Sequence, residues 1–297
     1  MFEVRHPEAP GRFCEDARPA DQHRPTADGR IRRASLALLE TTRPCSSLVA
    51  GTLTASAAIA GQGRLTLRSA AAGLAMTTMT MFGFVVNDMF DYHKDRAAGI
   101  QRPLAAGNLS MKGAAWLAIA TLLASALMGA LAGPGAIVLA IASVMLVLYS
   151  PLAQRYTLCK DLYVAILCCL PLDYGGAVGG RGYPWFSYAL VACFVIGREL
   201  LMDADEMAGD IRFGMRTIAA ILGRHETARI GMVLMILAAA ATAAFVHGRL
   251  AVGMSAAGVA LLAGILTWPG LEQRSRISLS RVPMLLGAIA VACGGFS

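Results

Sequence analysis

Two short stretches hold most of the residues able to do chemistry. The first, VVNDMFDYHKDR, places an amide and three carboxylates close together: Asn87, Asp88, Asp91 and Asp95. The second, RELLMDADEMAGD, spaces Glu199, Asp203, Glu206 and Asp210 by 4, 3 and 4 residues. On a helix, Asn87, Asp88 and Asp95 fall at about −40°, +60° and +40° from Asp91, so all four share one face. The 4-3-4 spacing does the same for the second set, while Asp205 points away and Gly209 is expected to loosen the helix end. Like charges on one stripe repel, and an acid at mid-helix in lipid costs roughly 2.5–3.5 kcal/mol. A bound cation removes that repulsion. Carboxylates with no His or Cys on their shared face suit a hard ion, Mg²⁺ first, with Mn²⁺ as a substitute. Mg²⁺ usually takes only one or two carboxylates plus substrate phosphates. Two acid faces opposed across an opening would therefore hold metals that grip a diphosphate.

The elements that must position these acids are strongly apolar. The chain has 297 residues, 56% of them hydrophobic and only 15% charged, with a mean hydropathy of +0.58. A soluble domain carries about 25% charged residues. The apolar residues fall in blocks at 36–61, 70–90, 112–132, 135–150, 161–179, 185–202, 228–247, 250–268 and 282–296. Their lengths predict an all-α polytopic membrane protein of about nine transmembrane helices, the last one short for a span. Residues 1–33 are rich in Pro, Arg and acids without an apolar core, so they read as a disordered cytoplasmic tail, and 34–297 as one membrane domain. The seven cysteines form no CxxC and read as small packing residues.

The net charge of +7 does not point to nucleic acid, because no basic patch with interleaved aromatics is present. The basic residues instead divide by loop. The short loops 62–69, 180–184 and 248–249 hold Arg64, Arg68, Arg181 and Arg249. The loops 91–111, 151–160, 203–227 and 269–281 hold Lys94, Arg96, Arg102, Arg155, Lys160, Arg212, Arg216, Arg224, Arg274, Arg276 and Arg281. The positive-inside rule places the second set, both acid clusters and the N-terminus on the cytoplasmic side of the cell (inner) membrane.

At these residues the chain resembles the UbiA superfamily of intramembrane prenyltransferases. Asn87 to Asp95 fits the family's NDxxDxxxD motif, and Arg102-Pro103-Leu104-Ala105-Ala106-Gly107-Asn108-Leu109-Ser110 is similar to its RPLxxGxxS segment. Glu206-Met207-Ala208-Gly209-Asp210, followed by Gly214 and Thr217, stands where the family has DxxxD, Gly and Thr. Arg43-Pro44 opens the first helix and Tyr149-Ser150-Pro151 closes the fourth, as in the family. Three positions depart from the pattern: Glu206 for Asp, Gln154 for a frequent Lys, and Asp161 for a frequent Asn. The REL…D…GD run looks most like the ether-lipid and chlorophyll branches.

The resemblance implies a helical bundle around a central cavity open to the cytoplasm and to lipid. It also implies Mg²⁺-dependent ionisation of an allylic polyprenyl diphosphate and transfer of the prenyl group to an aromatic or alcohol acceptor, a small molecule or a membrane lipid. Asp91, Asp95 and Asp210 would be the catalytic acids, within a metal set of Asn87, Asp88, Asp91, Asp95, Asp203, Glu206 and Asp210. Arg43, Arg102, Tyr149, Arg155, Lys160 and Arg212 would contact the substrate. Cyclisation within the prenyl chain is the alternative. A cation-coupled transporter would carry its acids at mid-span in broken helices, whereas these lie at helix ends. The DGxxAR start of CDP-alcohol phosphotransferases is absent.

Overall fold

The computed structural model describes residues 27–155, 160–212, 214 and 217–294. The described residues form thirteen helices. Arg43 separates α1 (Ala27–Thr42) from α2 (Pro44–Gln62). It adopts a left-handed backbone at φ 45° and ψ 60°, unusual for a side chain of this size. Pro44 explains the break, since a proline disfavours helical geometry in the residue before it. The block 36–61 is thus two helices, and the tail boundary set at 33 falls inside α1. Residues 1–26 of that tail lie outside the described residues.

The first acid motif ends α3 (Leu67–Phe90) and continues through the short α4 (Tyr92–Ala97). The backbone bends at Asp91, yet Asp91 N–H donates to Asn87 and Asp95 N–H donates to the Asp91 carbonyl, so helical phase carries across. There follow α5 (Met111–Ala132), α6 (Ala136–Arg155), α7 (Lys160–Gly179) and α8 (Trp185–Arg212). Helix α8 keeps its form past Gly209 to Arg212, ten residues beyond the apolar block and without the loosening expected there. The chain finishes with α9 (Ile218–Leu222), α10 (Arg224–Phe245), α11 (Arg249–Thr267), α12 (Gln273–Leu279) and α13 (Arg281–Gly294).

Seven helices are long and apolar enough to cross a membrane: α2, α3, α5, α7, α8, α10 and α11. The blocks 135–150 and 282–296 correspond to the 20-residue α6, with a described apolar stretch of Ala136–Leu152, and to the 14-residue α13. The chain is polytopic and all-helical, with seven candidate spans among the described residues. Large apolar side chains such as Trp116 and Leu123 face outward, as lipid contact requires.

Contacts close the bundle into two lobes. One is α2, α3, α5, α6 and α7; the other is α2, α7, α8, α10, α11 and α13. The seam between them is the α2–α7 packing. There the Thr54 hydroxyl donates to the Pro171 carbonyl at 3.0 Å, and Gly175 lies so close to Thr54 and Ala57 that a side chain would not fit. Met76 and Met79 belong to the buried core of the first lobe. In the second lobe Gly197 of α8 and Gly231 of α10 lie backbone to backbone: a Cβ on either would stand 2.5–2.6 Å from the other's carbonyl oxygen. This close approach fixes α8, and with it the second acid stripe.

Candidate active site

The acid-bearing ends of α3 and α8 lie together at one end of the bundle. Arg102 touches the first cluster and lies in the field of Glu206, while Asp210 lies in the field of Lys94. Tyr149, at the end of α6, is within the fields of Asp91, Glu199, Lys160 and Asp161.

In the first cluster Arg102 is the hub. Its Nη1 lies 2.8 Å from Asp95 Oδ2, 3.4 Å from Asp88 Oδ1 and 3.5 Å from Asp91 Oδ2. The three acids therefore share one face, as the spacing predicts. Arg43 adds a second cation, with Nη2 2.8 Å from Asp88 Oδ1 and the guanidinium 4.7 Å from the Phe84 ring centroid. Burial works against the Arg102 charge, but Asp95, Asp88 and Asp91 more than offset it and hold its pKa above the ordinary value. At Arg43 burial wins and the pKa is lowered. Asp95 is raised, chiefly by burial, despite Arg102. Asn87 is oriented by a relay: the Ser150 hydroxyl donates to Asn87 Oδ1 at 2.9 Å, and Asn87 Nδ2 donates to Asp91 Oδ2 at 3.0 Å.

The second cluster is arranged around Lys160, whose ammonium donates to Asp203 and lies 3.8 Å from Asp161. Glu199, Asp203 and Asp210 are buried, and Glu206 is exposed. Arg198 lies 3.5 Å from Glu199. Asp205 points away, toward Arg224 and Arg274, as its helical phase predicts. Arg212 is exposed at the end of α8 and makes no salt bridge among the described residues. The side chains of Arg155 and Gln154 lie outside the described residues.

Asp161, Glu199 and Ser150 join the site in addition to the metal-binding and substrate-binding residues expected from the sequence. Glu199 has a legible signal, since it begins the same 4-3-4 stripe. Asp161 and Ser150 enter through packing between distant helices, which local spacing does not encode.

Among the described residues no three His, Cys, Asp or Glu groups converge as a ready-made metal site. Arg102 and Lys160 sit among the carboxylates instead. The donors nonetheless fit a hard divalent cation. They are oxygens, the acids outnumber the cations, and Asp203 Oδ2 and Asp161 Oδ1 are buried without a hydrogen-bond partner.

The profile of the UbiA prenyltransferase family matches residues 48–288. The chain belongs to this family. It is thus a membrane-embedded prenyltransferase, and both acid motifs lie within the matched range. A digeranylgeranylglyceryl phosphate synthase of Methanoculleus marisnigri is 30% identical over 197 residues, covering 64% of this chain and 70% of that protein. The enzyme of the same name from Methanopyrus kandleri is 28% identical over 265 residues, covering 86% and 97%. Among solved structures, a UbiA homologue from Aeropyrum pernix superposes with a TM-score of 0.63 at 20% identity, covering 84% of this chain and 98% of that one. A UbiA homologue from Archaeoglobus fulgidus, solved with GPP and Mg²⁺, gives 0.60 at 15% identity, covering 86% and 98%. At these identities the two structures speak for the fold.

Proposed function

We propose that this UbiA protein ionises an allylic polyprenyl diphosphate at the paired acid clusters and transfers the prenyl group to the hydroxyl of a glycerophosphate-type lipid acceptor. The observation that carries the reading is the pairing itself: two carboxylate sets at one end of an apolar bundle, each threaded by a cation, Arg102 in one and Lys160 in the other. An allylic diphosphate has a charged head and an apolar tail, and a site at a membrane boundary accommodates both.

Asp88, Asp91 and Asp95 with Asn87 would hold Mg²⁺ on one side, and Asp203, Glu206 and Asp210 on the other; Mn²⁺ fits the same oxygens. Bound there, the metal would neutralise the diphosphate and make it a better leaving group. Arg43, Arg102 and Lys160 place further positive charge where the diphosphate oxygens gain negative charge. Ser150 fixes the Asn87 amide, and Asn87 in turn fixes Asp91. The apolar helices below exclude water, which would otherwise capture the allylic cation. The acceptor class rests on the relatives named digeranylgeranylglyceryl phosphate synthase.

The test uses purified protein in detergent with Mg²⁺, allylic diphosphates of 10, 15 and 20 carbons, and a prenylglyceryl phosphate or an aromatic acid as acceptor. Products are read by mass spectrometry. An ether product with release of diphosphate is expected from the glycerophosphate. A product from the aromatic acid alone would move the acceptor class, and a cyclised hydrocarbon made without acceptor would replace transfer by cyclisation.

A further inference from the structure

Three arginines converge beside the acid clusters: Arg43 at the start of α2, Arg198 on α8 and Arg281 at the start of α13. Helical register brings them together. Val49 and Leu53 of α2, Val191 and Phe194 of α8, and Met284 and Ala288 of α13 all line one apolar space in the second lobe. Arg198 stands one turn beyond Phe194 on the same face of α8. Arg281 stands one turn before Met284 on the same face of α13. Arg43 precedes α2 at its junction with α1. All three therefore stand at the acid-bearing end of those stripes. Arg281 lies in the fields of the other two: burial lowers its pKa most, and Arg198 and Arg43 lower it further.

The cluster is short of negative charge. Arg43 pairs with Asp88, which also serves Arg102, and Arg198 lies 3.5 Å from Glu199. Arg281 donates from Nη1 to the Ser278 hydroxyl at 3.1 Å, its Nε is buried without a hydrogen-bond partner, and it makes no salt bridge among the described residues. Cations held this close repel, and half-buried guanidinium groups with donors to spare attract an anion. A carboxylate brings one charge. A phosphomonoester brings between about 1.5 and 2, with oxygens enough for more than one guanidinium fork. The balance favours a phosphate over a carboxylate.

We propose that Arg198 and Arg281, with Arg43 between them and the acids, bind the phosphate of the acceptor lipid. This rests on the glycerophosphate reading above and deepens it by assigning the residues that recognise the acceptor. In a glycerophosphate lipid with a free middle hydroxyl, that hydroxyl neighbours the carbon bearing the phosphate. A phosphate fixed at Arg198 and Arg281 therefore delivers the nucleophile beside Asp88 and Glu199, the members of the two acid clusters that Arg43 and Arg198 already reach. The allylic diphosphate keeps its own cations, Arg102 and Lys160, on the far side of the same acids. Arg43 alone is shared.

The test titrates a prenylglyceryl phosphate, and separately its dephosphorylated alcohol, onto the full-length protein in detergent, with affinity read from thermal stabilisation. A non-reactive allylic thiolodiphosphate with Mg²⁺ reports on the diphosphate site, and inorganic phosphate supplies the headgroup without a lipid. The wild type is expected to bind the phosphorylated lipid about tenfold tighter than the alcohol, or more. In Arg198→Gln and in Arg281→Gln that advantage should fall about tenfold, with thiolodiphosphate affinity within about twofold of the wild type. If Arg281→Gln does not fold, Arg281→Lys should move the ratio in the same direction by less. Folded variants that keep the wild-type preference overturn the phosphate site and leave the prenyltransferase reading standing. Equal wild-type affinity for the phosphorylated lipid and the alcohol does the same. So does an equal loss of thiolodiphosphate affinity, which would give the arginines to the diphosphate. Inorganic phosphate that binds as tightly as the lipid would make this a site for free phosphate and overturn its assignment to the acceptor. A wild type that binds the thiolodiphosphate but neither glycerol lipid overturns the acceptor class as well, and one that binds none of the probes overturns both readings.

Discussion

Arg102 Nη1 lies 2.8 Å from Asp95 Oδ2, although Arg102 belongs to the loop after α4 and Asp95 to α4 itself. The same nitrogen reaches Asp88 and Asp91. One guanidinium thus keeps three carboxylates compact that would otherwise repel, and it stands where the diphosphate would arrive. Removing a preorganised charge of this kind typically costs about 10²–10³ in kcat. Arg102→Ala is expected to lose that much turnover, and Arg102→Lys to recover only part, because lysine lacks the fork that spans several acids. Steady-state kinetics on membranes with matched expression decides it; full activity in Arg102→Ala would remove Arg102 from the site.

The two acid clusters are expected to fail independently. Asp91→Ala and Asp210→Ala should each abolish measurable turnover in protein that still inserts and folds, because each removes an oxygen from a different face. EDTA should silence the wild type, and added Mg²⁺ should restore it. Turnover that survives chelation, or a fully active single mutant, would sink the two-faced metal reading.

Lys160 is 18% exposed and faces Asp203 and Asp161, both nearly sealed from solvent. Removing one partner of such a set leaves buried charge uncompensated, at roughly 3–5 kcal/mol. Lys160→Ala should therefore lower the melting temperature in detergent as well as activity. Lys160→Met with Asp203→Asn should restore much of the stability and none of the activity. A Lys160→Ala protein as stable as the wild type would show that Asp203 and Asp161 take up protons at little cost.

What the sequence makes legible, and what it hides, follows from where each relationship is encoded. The NDxxDxxxD face is local: helical phase alone brings Asp88, Asp91 and Asp95 to one side, and the structure keeps that phase through the bend at Asp91. The stripe on α8 is legible for the same reason. The Lys160–Asp203 pair joins residues 43 apart in the chain, and the Ser150–Asn87 bond joins residues 63 apart. Both depend on how α6, α7, α3 and α8 pack. Apolar content also hides a boundary: it merges α1 with α2 across Arg43. Hydropathy records composition, whereas the break at Arg43 comes from backbone geometry imposed by Pro44.

The Gly197–Gly231 contact carries a prediction at a distance from the chemistry. A Cβ on Gly197 would stand 2.6 Å from the Gly231 carbonyl oxygen and 2.8 Å from Met235 Cγ. The backbone cannot retreat as a flexible side chain could, so α8 must shift. Gly197→Ala is expected to cost about 1–3 kcal/mol in stability. It should also lower activity by up to about 10²-fold, because a displacement near 1 Å at the acid stripe misplaces the reacting groups. An unchanged melting temperature would mean that α8 and α10 separate freely.

The proposed function requires both clusters to face the same side of the membrane, and the distribution of Lys and Arg predicts that this side is the cytoplasm. Cysteine labelling tests it, provided the probes sit where a side chain is tolerated. Gly99 and Gly214 are poor positions, since both have positive φ, at 69° and 72°. Ala98 and Ala208 are exposed and close to the same acids, and Gly182 lies in the loop between α7 and α8 with open space around it. Native cysteines, including the exposed Cys45 and Cys193, are removed first. Ala98→Cys and Ala208→Cys should react with an impermeant maleimide only from the cytoplasmic face, and Gly182→Cys only from the opposite face. Reversal of all three would invert the protein and cut its acids off from cytoplasmic diphosphates. Labelling of Ala98→Cys and Ala208→Cys from different sides would mean that the ends of α3 and α8 do not meet in the membrane, which removes the site itself.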